Sequence, residues 1–536
     1  MYEKGIAEVR KSHTPALFHV EELTQPQGHS TSGSHERYKD SDRLNWEKDH
    51  DCIEMMRNWI LSEGIADEAE LKNLEADAKS YVQKARRKAW DNYNNPIKEY
   101  RQKLETIYNG IQIKNERVDK IKEEFKKLID PTYSELIQNG RRMLFTIGTE
   151  DTTASKSLHE FWKEAAAKGQ QRYYTNLYSD SDKSALNVPV VHPVINEQSK
   201  TVNGFQVLNT FFDKVLDRNA SVFAFGEDVG YIGDVNQGFA GMQEKYGIER
   251  VFDTGIREWS IMGQGIGMAM RGLRPIVEIQ YLDYLIYGLE PLSDDLATLR
   301  YRSNGNQQAP MIIRTRGHRL EGIWHAGSPL GMMLGSLRGI YLCVPRNMTQ
   351  AVGFYNTMLQ SNDPAIIIEC LNGYRLKEKI ADNIGEYTVP LGVPEILNKG
   401  TDITLVTYGS CVRIAQAGME LLKTYDISVE LIDVQTLLPF DLEHLIVESI
   451  QKTNRVIFMD EDIPGGGTAY MMQEVLEKQG AYRYLDSKPM TLSAAPHRTP
   501  YGSDGDYFSK PNPEDVFEII YKMMYEADPE RFPKLF

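Results

Sequence analysis

Short, nearly continuous apolar segments alternate with helical stretches in the second half of the chain, and this alternation restricts the fold more than any other feature. Strands that are apolar along their whole length suit a parallel sheet covered by helices on both faces. We therefore predict an α/β domain over residues 201–395. Its strand segments are SVFAFGEDV, RPIVEIQY, PMIIRTR, IYLCVP and PAIIIEC.

The end of the chain repeats this pattern on a smaller scale. Three apolar segments, ITLVTYG at 403–409, VELIDV at 429–434 and RVIFMDE at 455–461, predict successive strands. A helix follows the first strand, and its apolar positions are Val412, Ala415, Met419 and Leu422. Strand–helix–strand crossovers of this kind predict a second α/β domain over residues 396–536.

Residues 1–95 form a first region with a different pattern. We predict an opening helix, a short strand over residues 16–20, a polar loop over residues 24–39 and then an amphipathic helix. The helix is indicated by apolar residues at spacings of three and four, and Asp67 followed by Glu70 is typical of a helix start. The apolar positions are Leu71, Leu74, Ala78, Val82, Ala85 and Ala89.

Residues 96–200 have the composition of a connector. Val118, Ile121, Phe125 and Leu128 mark one apolar stripe in a heavily charged segment. Such a helix either packs on a neighbour or, more often, lies solvated at the surface. Pro189 and Pro193 oppose helix formation, so we expect residues 179–200 to be an extended loop.

Composition limits the classes of function. The formal net charge of −15 argues against nucleic acid as the main partner. Only four cysteines occur in 536 residues, without CxxC spacing, so neither a disulfide framework nor a zinc site is expected. The charged N-terminus does not resemble a signal peptide, and no apolar run has the length of a membrane span. We expect a cytoplasmic protein that does not associate with membranes.

Three motifs follow one another in the predicted α/β domain: FGEDVG at 225–230, VFDTGIREWSIMGQGIGMAM at 251–270 and EIQYLDY at 278–284. This succession resembles the β-subunit half of the E1 component of 2-oxo acid dehydrogenase complexes. The resemblance implies a transketolase-like fold, parallel sheets flanked by helices, and the use of thiamine diphosphate. It also implies that residues 201–395 bind the pyrimidine ring and that residues 396–536 form a transketolase C-terminal domain.

The resemblance assigns a role to several side chains. Glu258 is implied to activate the cofactor by sharing a proton with ring nitrogen N1'. Ile256, Trp259, Ile261 and Met262 are apolar neighbours in the sequence, so we expect them to desolvate the Glu258 carboxyl. The alternative is a glutamate that merely stabilises a helix N-terminus. The other implied cofactor contacts are Glu227, Ile256, Gln280 and Tyr284, and the implied substrate-side histidine is His325.

The N-terminal region resembles the C-terminal part of the E1 α subunit, on Gly28, His29 and Ser30 of its polar loop. Histidine titrates near neutral pH, so His29 is a candidate catalytic group; the alternative is a surface histidine in a polar loop. The chain departs from the family pattern at Gln25 and Gly33, where the family carries an arginine and acidic residues. The family's ion pairs in this loop therefore do not carry over.

Two further segments look like ligand sites but have simpler interpretations. Residues 465–467, a triple glycine between a strand and a helix, predict a tight turn, because no lysine with serine or threonine follows as in a phosphate loop. Asp504, Gly505 and Asp506 resemble part of a metal loop, but the downstream asparagine is absent, so we predict a surface turn. No metal ligand is identified.

The resemblance implies oxidative decarboxylation of a 2-oxo acid, with acyl transfer to a lipoyl-bearing E2 partner and a homodimer equivalent to α2β2. The segments EIQYLDYLIYG and LRYRS look closer to the branched-chain type of E1 than to a sugar transferase, so a branched-chain 2-oxo acid is favoured and pyruvate is possible. The family holds Mg²⁺ through an upstream α-subunit motif, so we expect its ligands in an N-terminal lobe that this sequence lacks. The alternatives are another transketolase-like enzyme and an inactive fragment that retains dimerisation and E2 docking.

Overall fold

The structure is a computed structural model, and it describes residues 1–25, 35–317 and 322–535. The chain divides into two compact units, Met1–Gly169 and Gln170–Phe536. The predicted domain limits at residues 95, 200 and 395 stay predictions.

The first unit is helical throughout its described elements. Its helices are α1 (Tyr2–Ser12), α2 (Ser41–Asp49), α3 (Cys52–Ser62), α4 (Glu68–Gly110), α5 (Glu116–Lys127), α6 (Tyr133–Ile147) and α7 (Thr152–Tyr173). Asp67 and Glu70 form the capping box that begins α4, as predicted. The strand predicted over residues 16–20 is wrong, because these residues form no strand ladder.

The two halves of α4 differ in burial. Ile97 and Leu104 lie in a core shared with α5, α6 and α7. Val118, Ile121 and Phe125 of α5 are buried there, so the connector packs on neighbours rather than lying solvated. In the first half of α4 the predicted stripe is largely uncovered within this unit, because Leu74 and Val82 are more than half exposed.

The second unit contains the predicted strands. In chain order they are β1 (Thr201–Asn203), β2 (Val222–Gly226), β3 (Val251–Asp253), β4 (Arg274–Glu278), β5 (Ile312–Gly317), β6 (Tyr341–Cys343), β7 (Ala365–Cys370), β8 (Lys377–Lys379), β9 (Glu395–Asn398), β10 (Ile403–Thr407), β11 (Val429–Asp433), β12 (Thr436–Leu438), β13 (Val456–Met459) and β14 (Met490–Leu492). Each apolar segment named in the sequence contains one of these strands, which confirms the α/β prediction.

The described strands form two larger sheets and one short ribbon. The larger sheet has the order β12-β6-β7-β5-β4-β2-β3 and is parallel except where β12 meets β6. The smaller has the order β14-β13-β10-β11-β9 and is parallel except for β9. Strands β1 and β8 pair separately. Non-consecutive neighbours in both sheets require crossovers, which the helices provide.

Helices in the second unit are α8 (Gly204–Arg218), α9 (Met242–Tyr246), α10 (Glu258–Met270), α11 (Ala297–Arg302), α12 (Leu330–Ser336), α13 (Met348–Gln360), α14 (Cys411–Leu422), α15 (Leu445–Thr453), α16 (Gly467–Met472), α17 (Ser503–Ser509) and α18 (Pro513–Ala527). A 3-10 helix spans Leu282–Gly288. A Cβ added at Gly265 would lie 2.7 Å from the Val277 side chain, so a glycine lets α10 pack closely on β4.

Two smaller predictions have different outcomes. Gly465 and Gly466 lie between β13 and α16, and Gly467 begins α16, as predicted for a strand-to-helix turn. The surface turn predicted at residues 504–506 is wrong, because these residues lie in α17. None of the described helices is long and apolar enough to cross a membrane.

Candidate active site

The predicted cofactor residues lie at one edge of the larger sheet, where three neighbouring parallel strands end. Gly226 at the end of β2 is in register with Asp253 of β3 and with Glu278 of β4. Glu227 follows β2, Gln280 follows β4 and Glu258 begins α10 after β3. Because carboxyl ends of parallel strands share an edge, these side chains converge where α/β sheets bind ligands.

The two glutamates lie close enough to interact electrostatically. Burial raises the pKa of Glu227, and the neighbouring carboxylates of Asp228 and Glu258 raise it further. The Glu227 carboxyl therefore holds a proton more readily than an isolated glutamate.

The surroundings of Glu258 differ from the sequence expectation. Ile261 and Met262 are buried, as expected for the inner face of α10. Ile256 and Trp259, however, are 66% and 55% exposed. The prediction that these two side chains desolvate the carboxyl is wrong, because Ile256 precedes α10, Trp259 lies in its first turn, and both side chains are turned toward solvent. Trp259 instead donates its indole N–H to Glu290.

Gln280 is held at both its side chain and its backbone. Its Nε2 donates to Oδ2 of Asp228 over 3.0 Å. Its carbonyl oxygen accepts from Nη1 of Arg316 over 2.9 Å. The side-chain amide of Gln280 is therefore fixed beside Asp228. Its contact to a heterocyclic ring stays a prediction.

Tyr284 and His325 form one hydrogen-bonded pair. The Tyr284 hydroxyl lies 2.8 Å from Nε2 of His325. The Tyr281 ring packs edge-on against the same imidazole, with centroids 4.6 Å apart. Burial raises the pKa of the Tyr284 hydroxyl, and the charges of Glu227 and Glu258 add to the shift. The predicted histidine thus lies at the glutamate-lined edge of the sheet.

A buried charge cluster, composed of Asp234, Glu278, Arg314, Arg316 and Glu369, lies beneath this edge. Strand pairing places Glu278 opposite Arg314 and Glu369 opposite Arg316. Arg314 contacts Asp234 over 2.6 Å and Glu369 over 3.0 Å. Arg316 contacts Asp234 over 2.8 Å and Glu278 over 2.9 Å. Because Arg316 also holds the Gln280 carbonyl, the cluster fixes the backbone that enters the site.

The cluster contains more carboxylates than guanidinium groups, and its pKa shifts reflect this. Burial raises the pKa of Glu278 to about 7, although both arginines oppose the shift. Burial also opposes ionisation of Asp234, but the Arg314 and Arg316 guanidiniums hold the pKa of Asp234 below its ordinary value. Glu278 is therefore the carboxyl group that takes up a proton near neutral pH, and this reduces the excess negative charge of the cluster.

The residues present fit the aminopyrimidine part of thiamine diphosphate. A carboxyl group that can share a proton suits a ring nitrogen, and Gln280 offers an amide beside it. Ile256 is exposed and available to contact a flat ring. Among residues 1–25, 35–317 and 322–535, no group of three or more His, Cys, Asp or Glu side chains is arranged to hold a metal ion. His29 lies outside the described residues.

Sequence inspection missed several residues that organise the site. Asp228 holds Gln280, while Asp283 and Arg498 contact the loop that carries His325. One feature of the sequence indicates the buried charge cluster: two arginines lie two positions apart within the apolar segment PMIIRTR. Their pattern places both on one face of a strand, where they require partners once the strand is buried.

Family models match three segments of the chain. The model described as transketolase, pyrimidine binding domain, matches residues 200–376, and the model described as transketolase, C-terminal domain, matches residues 392–515. The model described as dehydrogenase E1 component matches residues 24–98. The N-terminal match includes the loop predicted to resemble an α subunit.

Curated relatives match the second half at similar identity. Pyruvate dehydrogenase E1 component subunit beta of Acholeplasma laidlawii is 31% identical over 59% of this chain and 96% of its own length. The 2-oxoisovalerate dehydrogenase subunit beta of Bacillus subtilis is 31% identical over 58% and 94%. A solved split-gene transketolase, described as an inactive beta4 tetramer, is 18% identical with a TM-score of 0.49, covering 60% of this chain and 98% of its own.

Proposed function

We propose that this chain oxidatively decarboxylates a 2-oxo acid. The chain belongs to the thiamine-diphosphate-dependent E1 components of 2-oxo acid dehydrogenases, and it joins an α-type segment to a β-type half. The observation that carries the proposal is the convergence of Glu227, Glu258 and the Tyr284–His325 pair at one sheet edge. If Glu258 only stabilised the start of a helix, neither the Glu227 carboxyl nor the Tyr284–His325 pair would be needed near it.

Glu258 is proposed to bind the cofactor through its aminopyrimidine ring. When bound, thiamine diphosphate supplies the nucleophilic carbon and the electron sink for decarboxylation. The Glu258 carboxyl would share a proton with ring nitrogen N1'. Burial raises the pKa of the neighbouring Glu227, and the Glu258 charge adds to this shift. Gln280, fixed by Asp228, and Ile256 would orient the ring from the side.

His325 is proposed to act on the substrate side. Its Nε2 meets the Tyr284 hydroxyl, so this pair can move a proton or stabilise developing negative charge near the reacting carbonyl. His29 is proposed as a second group of this kind, on the resemblance of its loop alone. We further propose that the acyl group passes to a lipoyl-bearing E2 partner.

The companion ion, the assembly and the location are supported by the family alone, and the substrate is supported by two sequence segments. We propose Mg²⁺ as the companion ion of the cofactor, a homodimer as the assembly and the cytoplasm as the location. The relatives include proteins named for pyruvate and for 2-oxoisovalerate at nearly equal identity. We propose a branched-chain 2-oxo acid, with pyruvate as the alternative, because the segments EIQYLDYLIYG and LRYRS look closer to the branched-chain type of E1 than to a sugar transferase.

Substrate comparison with an activator variant tests the proposal. The chain is supplied in trans with an E1 α-type lobe that carries the Mg²⁺ ligands. The mixture is incubated with thiamine diphosphate and Mg²⁺ and assayed with 2-oxoisovalerate, pyruvate and a ketose phosphate, using an artificial electron acceptor. We expect turnover to be fastest with 2-oxoisovalerate. Glu258→Gln should lower turnover by about 10²- to 10⁴-fold, because the amide cannot exchange a proton with the ring.

Glu514→Gln is the matched control. Glu514 also lies in the first turn of a helix, α18, so its substitution removes a comparable helix-dipole interaction. We expect this variant to retain turnover. Equal activity of both variants would contradict the role of Glu258. Preference for the ketose phosphate would favour the transketolase-like alternative. No turnover together with no calorimetric binding of thiamine diphosphate would favour the docking alternative.

A further inference from the structure

We propose that Asp283 and Arg498 clamp the loop over residues 322–329, so that the C-terminal region of the chain positions His325. The proposal rests on the proposed function for the catalytic importance of His325. Asp283 and Arg498 are positioning residues, because they act on His325 through the loop and through Tyr284.

The clamp consists of three hydrogen bonds, two to the Asp283 carboxylate and one from Arg498 to the loop backbone. Oδ2 of Asp283 accepts from the Gly327 backbone N–H over 2.8 Å. Nη1 of Arg498 donates to the same Asp283 oxygen over 2.6 Å. Nη1 of Arg498 also donates to the Ile323 carbonyl over 2.8 Å. The loop is thus held on both sides of His325, two residues before it and two residues after it.

The clamp and the histidine contact share one short helix. Asp283 and Tyr284 are consecutive in the 3-10 helix Leu282–Gly288. Asp283 anchors the loop backbone, while the Tyr284 hydroxyl meets the imidazole at 2.8 Å. A shift of the loop relative to this helix would change both contacts. The distance between His325 and Tyr284 therefore depends on the anchor at Asp283.

Two glycines permit the close approach that the clamp requires. A Cβ at Gly327 would lie 1.8 Å from Oδ1 of Asp283. Gly322 has a φ of +95°, and a Cβ there would lie 2.5 Å from the Tyr501 ring. Tyr501 also lies beside Trp324, with ring centroids 6.4 Å apart. Residues 498–501 therefore contact the loop at both its backbone and its side chains.

The burial of the two partners explains why the ion pair matters. The Asp283 side chain is only 5% exposed, whereas that of Arg498 is 52% exposed. A buried carboxylate without a cationic partner is costly, so loss of Arg498 should displace the Asp283 carboxylate or the loop attached to it. An exposed arginine outside the glutamate-lined edge can thus control the placement of a histidine within it.

Chemical labelling of His325 tests the clamp directly. Diethyl pyrocarbonate modifies unprotonated imidazole, and peptide mass spectrometry gives the rate at His325 alone. We expect Arg498→Gln to raise this rate by about tenfold, because the loop opens more often. Arg498→Lys keeps a cationic donor and should restore most of the protection. In the turnover assay, Arg498→Gln should lower kcat about tenfold or more with little change in KM.

Arg531→Gln is the matched control. Arg531 is similarly exposed, and its Nη2 also binds one carboxylate and one carbonyl, both of Asp426. Its substitution should leave labelling of His325 unchanged. A labelling rate within twofold of wild type in Arg498→Gln would overturn the clamp. If labelling changes as expected while no variant decarboxylates a 2-oxo acid, the clamp stands and the proposed function fails.

Discussion

The buried charge cluster and the loop of residues 322–329 both support the candidate site, but different kinds of interaction hold them. The cluster is built on three paired strands, β4, β5 and β7, whose ladders hold its arginines opposite carboxylates. The loop has no strand partner and depends on side chains, chiefly Asp283, Arg498 and Tyr501.

Because of this difference, the cluster should determine the stability of the folded unit, and the loop should determine the position of His325. Removing a group from the cluster leaves a buried charge without a partner, which should destabilise the whole unit. Removing a contact from the loop should displace His325 while the sheet remains folded. The two regions are therefore expected to affect different measurements, unfolding for the cluster and turnover for the loop.

The largest effect is expected for Arg314→Met. Arg314 contacts three carboxylates of the cluster, so its loss should lower the free energy of unfolding by about 3–5 kcal/mol. Arg302→Met is the control, because Arg302 forms a half-exposed ion pair with Asp295 and should change stability by less than about 1 kcal/mol. Urea unfolding measures both.

The loss of unfolding free energy in Arg314→Met should also depend on pH. Burial raises the pKa of Glu278 to about 7, so the folded chain holds a proton that the unfolded chain has released. The contribution of Glu278 is therefore fully present below its unfolded pKa and is lost as pH rises through about 7. Without Arg314 the ionised form is less favourable still, so destabilisation should be greater at pH 8 than at pH 5.5. Equal losses at both pH values would contradict this assignment of charge.

An intermediate effect is expected for Gly327→Ala in the loop. The added Cβ would overlap the Asp283 carboxylate, so the loop must move, and overpacking of this kind costs about 1–3 kcal/mol. Turnover should fall by about tenfold or more as His325 moves with the loop. Gly335→Ala is the control, because its Cβ would meet no neighbouring atom in the exposed part of α12. If Gly327→Ala loses stability but keeps full turnover, the loop does not place the histidine.

The sequence allows part of this arrangement to be predicted. Apolar segments identify β2 and β4, and carboxyl ends of parallel strands meet at one edge, so the placement of Glu227 and Gln280 at the same edge follows from the pattern. The setting of Glu258 does not follow, because neighbours in sequence face different directions around a helix start. Ile256 and Trp259 are exposed for this reason.

The remaining contacts depend on tertiary structure. Asp283 and Arg498 are 215 positions apart, and no local spacing or composition relates them. In the cluster, the arginines of PMIIRTR indicate that partners are needed, but their identity depends on strand order and register. The positions of Glu227, Glu258 and Gln280 as cofactor contacts stay predictions until binding is measured.

The smallest effect is expected for Tyr284→Phe, which removes one hydrogen bond and leaves the clamp in place. A single neutral hydrogen bond contributes about 0.5–1.5 kcal/mol, so turnover should fall by about two- to tenfold. Tyr287→Phe is the control, because Tyr287 lies on the same short helix and is largely exposed. A loss above about a hundredfold would mean that the Tyr284 hydroxyl transfers a proton itself. Tyr284 would then take part in the chemistry rather than support His325, and its role would differ from those of both the cluster and the loop.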